Sequence, residues 1–451
     1  MKWLVFFEKF YKGMKATCFV AGTLVMCIGA VAQSNGSRVE LTDVKDAWSI
    51  ALKNNPNKQV YDLNIQKAKI DYKTAQSFLY PSVSAGLNGQ DNLSIAVTPI
   101  PGEIFNQPGK TIYAKFGKHY VYNGGLTFSR SLFNWQAMAQ EKAAENNIAL
   151  NQAQADAYAQ GLKQQTAQYY YTALIAKAAI IISDSDLAVA DHVAKAIQQR
   201  LDEGLTDASA VNTALINKNQ VLQNKLQSEQ LLQESLQNLR ILLGLQKNDS
   251  LVLKQQVDVY AFENMDNPVL GDDKNLTVYP HQIKNAELNE RVEKNAYTPQ
   301  IALSAYLGKQ QFQDDFGLSF ANGAWTNYQY VGLNVNVPIF TGFATKNKIK
   351  SAEVSKNVAL QQYKAAQEQS MANDSITLLR TASYSAISKA SADNFKLYGD
   401  NCTLTKQKFD EGMVSIDVYL KSFQDYLTAE NTHLNNLTSL YSNYAVILSR
   451  Q

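Results

Sequence analysis

The chain has 451 residues, with 42 Lys and Arg against 40 Asp and Glu, for a formal charge of +2. That balance offers no hold to nucleic acid or to a strongly acidic partner. Only 9 prolines interrupt the chain, so long unbroken helices are open to it, and its aromatics are tyrosine-heavy, 24 Tyr to 18 Phe and 4 Trp.

Residues 1–32 read as a signal peptide. Lys9, Lys12 and Lys15 precede an apolar run over 18–28, and Ala30-Val31-Ala32 is a small-x-small cleavage site before Gln33. Met14 is an alternative start. A membrane anchor is the rival reading, but the run is shorter than the ~20 residues a spanning helix needs. A lipoprotein is a third, and Met26 directly before Cys27 does not suit its small-residue signal. After cleavage Cys402 stands alone, which rules out an intrachain disulfide framework.

A short helix follows over 41–52, with Leu41, Val44, Trp48 and Leu52 at helical spacing and Thr42 or Asp43 as its cap. Asn54-Asn55-Pro56 breaks it, and a second helix stops near 79, before Pro81. A strand over about 82–92 puts Val83, Ala85 and Leu87 on one face and Ser84, Gly86 and Asn88 on the other. A polar loop with Pro99, Pro101, Pro108 and Gly109 leads to a strand over about 118–133, in which Tyr120, Tyr122, Leu126, Phe128 and Leu132 share a parity. Long helices then cover 136–203 and 206–243, joined by Glu203-Gly204-Leu205-Thr206. These elements make a first structural repeat, 33–244.

Residues 245–279, with Pro268, Gly271 and Asp272-Asp273, read as an irregular connector. The second repeat, 280–451, has the same order. A helix over 280–297 stops before Pro299. A strand over about 300–313 carries Ile301, Leu303, Ala305 and Leu307 on one face. After a loop with Gly317, Phe320, Gly323 and Trp325, a strand over about 327–340 carries Leu333, Val335, Val337 and Ile339. Long helices over 343–411 and 414–449 flank Glu411-Gly412-Met413-Val414-Ser415. Gly125 and Gly332 are 207 positions apart, and Gly204 and Gly412 are 208 apart. Landmarks so far apart that keep one offset mark a duplication.

The runs 136–203 and 344–411, 68 residues each, would make helices roughly 100 Å long at ~1.5 Å per residue, more than a globular core holds. Alanine, serine, glutamine and asparagine dominate these runs, which suits a thin helical wall with water on both sides. From Ile416 through Leu420, Phe423, Leu427, Leu434, Leu437, Tyr441 and Tyr444 to Leu448 the apolar steps are heptad-like, broken at Glu430, as in a coiled-coil seam. Four alternating strands of roughly the ~10 residues that cross an outer membrane read either as a small soluble sheet or, as the export signal and tyrosine-rich strand ends favour, as a membrane segment, in which four cannot close alone, since the smallest bacterial barrels have ~8. An open edge in lipid leaves backbone groups unpaired, so several copies must share one barrel.

No catalytic constellation appears. His119, His192, His281 and His433 lack metal-ligand spacing and read as surface residues, and Ser183-Asp184-Ser185-Asp186 reads as a solvated helix face. No phosphate-binding glycine loop is present, so energy must come from a partner. The sequence implies no enzyme, no cofactor and no metal site.

In the order Ala51-Leu52-Lys53-Asn54-Asn55-Pro56, Leu79-Tyr80-Pro81-Ser82-Val83-Ser84, Val337-Pro338-Ile339-Phe340-Thr341-Gly342 and the two glycine turns, the chain resembles the TolC family of outer-membrane efflux proteins. The resemblance spans about 40–449. It implies an α+β membrane protein: a trimeric 12-strand outer-membrane β-barrel continued by a long periplasmic α-helical barrel. It implies a Gram-negative outer membrane, and a passive exit channel for a tripartite efflux or type I secretion system. The partners would be two further copies, outer-membrane lipid, a periplasmic adaptor (membrane fusion) protein and an inner-membrane pump of RND, ABC or MFS type. Gly204, Leu205, Thr206, Gly412, Met413, Val414 and Ser415 would be the adaptor-contacting tips. Family members carry acidic residues six and nine positions after the second glycine. Here Val418 and Lys421 stand there, which leaves Asp207, Asp417 and Lys421 as gate candidates. The alternative is an exported coiled-coil stalk without a pore.

Overall fold

The computed structural model describes residues 38–259 and 269–451. The signal peptide expected over 1–32 lies outside the described residues, as does part of the connector. The elements are β1 (Arg38–Leu41), α1 (Val44–Asn54), α2 (Pro56–Ala75), β2 (Ser82–Asp91), β3 (Val97–Pro101), β4 (Thr111–Lys115), β5 (Tyr120–Phe133), α3 (Trp135–Asp202), α4 (Ala208–Leu242), β6 (Ser250–Leu253), α5 (Val278–Asn295), β7 (Gln300–Gln313), β8 (Thr326–Asn336), α6 (Ala344–Asp410) and α7 (Ile416–Ser449).

Helix starts follow from local chemistry. Asp43 and Asn134 extend before α1 and α3 and accept from the first-turn amides of Val44 and Ala137. Pro56, at the first position of α2, gives up no needed donor there. Asn55 is buried and uses its whole amide. Its Oδ1 accepts from the Lys58 amide (3.0 Å) and the Tyr158 hydroxyl (3.0 Å), and its Nδ2 donates to the Leu242 carbonyl (2.9 Å). It thereby ties the α1–α2 corner to α3 and the end of α4.

The sheet order is β2-β5-β7-β8, antiparallel throughout. Among the described residues neither outer edge, β2 nor β8, meets another strand. The last strand stops at Asn336 instead of near 340, because Pro338 has no N–H to give a ladder. Two expectations are corrected. The stretch read as a polar loop after β2 holds two strands: β3 and β4 form a hairpin in it, with Pro99 opposite Tyr113. A two-stranded ribbon has free edges, so proline is tolerated. The connector contributes β6, which pairs in parallel with β1, Leu41 opposite Leu253.

The largest core lies where the short elements meet the long helices. Leu41, Val44, Ala47 and Ala51 pack on Leu162, Tyr170 and Leu174 of α3, Leu239 of α4 and Tyr441 and Ala445 of α7. Smaller clusters follow along α3, α4 and α7 toward the glycine turns. Arg450 closes the C-terminus: its guanidinium pairs with Asp374 (2.6 Å) and lies near Asp273 (3.7 Å), whose carboxylate also accepts from Ser370 (2.9 Å).

Candidate functional site: a channel wall and two helix tips

The ladder register assigns each strand residue to a face. Val83, Phe128, Ala305 and Val331 form one row across all four strands, and Ala85, Leu126, Leu307 and Gln329 the next. Leu87, Leu303, Leu333, Ile301 and Val335 lie on the same face. It is wide open in the single chain: Val331 is 74% and Leu333 62% exposed. Arg130 beside Leu303 and Lys309 beside Gly124 mark its two ends. A soluble surface rarely carries so large an apolar patch, whereas lipid requires one. Tyr80, Trp135, Phe340 and Phe343 are exposed at the strand–helix junction, where an interfacial aromatic belt belongs.

The opposite face is polar and small. Its rows read Ser82-Ser129-Ser304-Gly332, Ser84-Thr127-Tyr306-Tyr330, Gly86-Gly125-Gly308-Tyr328 and Asn88-Asn123-Gln310-Thr326. It carries no charged residue in these rows, a wall suited to water.

Far from the sheet, the two glycine turns come together. After α3 the Gly204 amide donates to Leu201 O (2.9 Å) and the Leu205 amide to Arg200 O (2.7 Å); after α6 the Gly412 amide donates to Phe409 O (3.0 Å) and the Met413 amide to Lys408 O (2.8 Å). These are matching Schellman closures, with Gly204 at φ 75° and Gly412 at φ 76°, a conformation that costs a side-chain-bearing residue. The turns pack side by side: the Arg200 guanidinium lies 4.5 Å over the Phe409 ring, which stacks on Tyr419. Asn217 of α4 donates to Leu420 O of α7 (3.0 Å). Leu205 and Met413 stand 70% and 69% exposed at the tip, with Thr206, Val414 and Ser415 beside them in the turns.

The gate candidates have distinct surroundings. The Asp207 carboxylate caps α4, accepting from the Ser209 (2.9 Å) and Ala210 (3.0 Å) amides. Lys421 pairs with Asp425 (2.8 Å) along its own helix. Asp417 is exposed in the first turn of α7.

Two sequence readings are overturned midway along the helices. Asp184 is exposed and pairs with Lys225, but Asp186, on the same supposedly solvated stretch, is buried. It faces Glu430, which is 3% exposed, and takes the Tyr426 hydroxyl (3.3 Å). Burial first, and the Asp186 carboxyl second, push the Glu430 carboxyl up to about 9. Burial raises Asp186 too, so both carboxyls of the facing pair resist ionising. His433 is likewise no surface residue. Its Nε2 donates to Val259 O (2.7 Å) and its Nδ1 takes the Ser391 hydroxyl (2.9 Å), while burial lowers its basicity. The break in the heptad at Glu430 was the only sequence signal of this polar seam.

The comparisons agree with this geometry. A family model described as outer membrane efflux protein matches residues 47–245 and 268–447. The toluene efflux pump outer membrane protein TtgC of Pseudomonas putida is 22% identical over 409 residues, covering 88% of this chain and 81% of that one. The outer membrane protein TolC of Vibrio cholerae is 22% identical over 251 residues, 54% of this chain and 57% of that one. Among solved structures, the CmeC outer membrane channel of Campylobacter jejuni superimposes with a TM-score of 0.71 at 16% identity, over 90% of this chain and 85% of that one. VceC of Vibrio cholerae gives 0.71 at 15% identity, over 90% and 95%. At such identities the structures speak to the fold, and the family match to kinship: the chain belongs to the outer membrane efflux protein family.

Proposed function

We propose that the chain is the passive outer-membrane exit channel of a tripartite efflux or type I secretion assembly, built as a homotrimer. One observation carries this reading: an open four-stranded sheet with an apolar face, a polar face and two edges that no described strand pairs with. Lipid tolerates no free edge, and four strands cannot close. In the antiparallel order β2 and β8 run oppositely, so β8 of one copy can extend the sheet along β2 of the next. Three copies would make twelve strands, with the apolar rows facing lipid and the serine, glycine and asparagine rows facing water.

Below the membrane the long helices form a conduit in the periplasm. The tips at Gly204, Leu205, Thr206 and at Gly412, Met413, Val414, Ser415 would meet a periplasmic adaptor (membrane fusion) protein, since Leu205 and Met413 offer it unpartnered apolar surface. The adaptor would link the channel to an inner-membrane pump of RND, ABC or MFS type. Of the gate candidates Asp417 is the most free to act, because Asp207 is engaged as a cap and Lys421 in an ion pair. Residues 1–32 would direct export and then be removed. Transport would be diffusion, the energy coming from the pump. Purified protein added to a planar lipid bilayer should raise the current in discrete steps; insertion without any conductance would defeat the proposal.

A further inference from the structure

Resting on the channel reading, we infer that Tyr306, Tyr328 and Tyr330 form an aromatic contact site on the water-facing wall of the barrel, which transiently binds planar aromatic solutes, and cationic ones best. The three rings are mutually packed: Tyr306 stacks on Tyr330 at 5.8 Å, and Tyr328 lies 5.6 Å from Tyr306 and 5.8 Å from Tyr330. Their rows otherwise hold only serine, threonine and glycine. The outer end of the Tyr306 ring lies close over glycine backbone. A Cβ on Gly308 would come within 2.7 Å of its ring, and one on Gly125 within 3.0 Å. The glycines thus make the bed on which the ring rests. Tyr328 and Tyr330 keep close to half their surface open.

Chemistry sets the ligand class. An aromatic face is electron-rich and attracts both other ring planes and cations. The polar rows carry no lysine or arginine to repel a cation and no carboxylate to hold a non-aromatic one. A ring-bearing cation gains both stacking and cation–π attraction there, a ringless cation of equal charge the second alone, so the first is held longer. Contacts this exposed are weak and quickly broken, which suits a wall that must release what it touches. Tyr306 begins its contacts halfway along the 14-residue β7, so in a trimer three such clusters would surround the lumen at one level.

Single-channel recording with the full mature protein tests this, with ethidium as the planar aromatic cation and tetrapropylammonium as the ringless control. In wild-type channels ethidium should interrupt the current for longer than tetrapropylammonium does. The double variant Tyr328→Leu/Tyr330→Leu leaves Tyr306 on its glycine bed, and should shorten the ethidium interruptions about 3- to 10-fold. Tyr328→Phe/Tyr330→Phe keeps the rings and should retain them, which a merely structural role for the hydroxyls would not predict. Should the double leucine variant fail to insert, the single variants Tyr328→Leu and Tyr330→Leu carry the same test, each expected to shorten the ethidium interruptions. Equal interruptions by the two cations in wild type, or unchanged ones in the leucine variant, would overturn the site while leaving the channel standing. A wild-type protein that conducts no current would overturn both.

Discussion

Glu430 and His433 lie one helical turn apart on α7 and set opposite limits on the pH at which the helical barrel is firm. Glu430 has its pKa raised in the fold, from 4.5 to about 9. Below 4.5 folded and unfolded chains both keep the proton, so the stabilisation is full. As pH rises toward 9 the unfolded chain gains by ionising first, and folded stability falls. For His433 the folded pKa is lowered, so its contribution is present above 6.5 and lost as pH falls. Glu430→Gln keeps a hydrogen-bonding side chain without the charge. It should gain on the order of 1–3 kcal/mol at pH 8.5 and flatten the decline between pH 6 and 9. Melting curves at a series of pH values read this directly, and a variant with the wild-type slope would show that the pair is not the cause. Asn55→Ala should cost about 1–3 kcal/mol, because it strands the Tyr158 hydroxyl, the Leu242 carbonyl and a first-turn amide of α2 together. An unchanged melting temperature would sink that assignment.

At the scale of elements, the glycine turns and the strands were the legible parts, for physical reasons. Gly204 and Gly412 were visible because a left-handed closure between long helices leaves few other residues eligible. The strand faces were visible because period two is local: Val83, Ala85 and Leu87 announce their face without knowledge of any neighbour. What stayed hidden depends on distance in the chain. The β1–β6 pairing joins residues more than two hundred positions apart and has no local signature. Asp186 looked solvated because Glu430 lies on another helix, and Pro99 and Pro101 disguised the β3–β4 ribbon. The tyrosine cluster needed the register, since Tyr306 meets Tyr330 only across the ladder. Gly412→Ala should cost about 1–2 kcal/mol for the left-handed φ and loosen the α6–α7 tip, seen as faster amide exchange at 408–416. Exchange equal to wild type would mean the turn is not strained by the added methyl. Leu333→Arg, on the apolar face, should cost about 2–4 kcal/mol per chain in lipid and reduce insertion; normal insertion would assign that face to water.

The whole molecule is organised by an incompleteness. Its helical half carries separate apolar clusters spaced from the β1–β6 ribbon to the glycine tips, while its sheet presents an apolar face and two open edges that nothing in the described chain covers. Family membership, the apolar rows and the polar rows fit together if each copy supplies one third of a barrel wall. Native mass spectrometry of the mature protein, extracted from outer membranes in mild detergent, tests this most directly. A shared barrel gives a particle of three chains that stays together on dilution; a folded particle of a single chain, with its four strands enclosing nothing, would contradict a shared barrel.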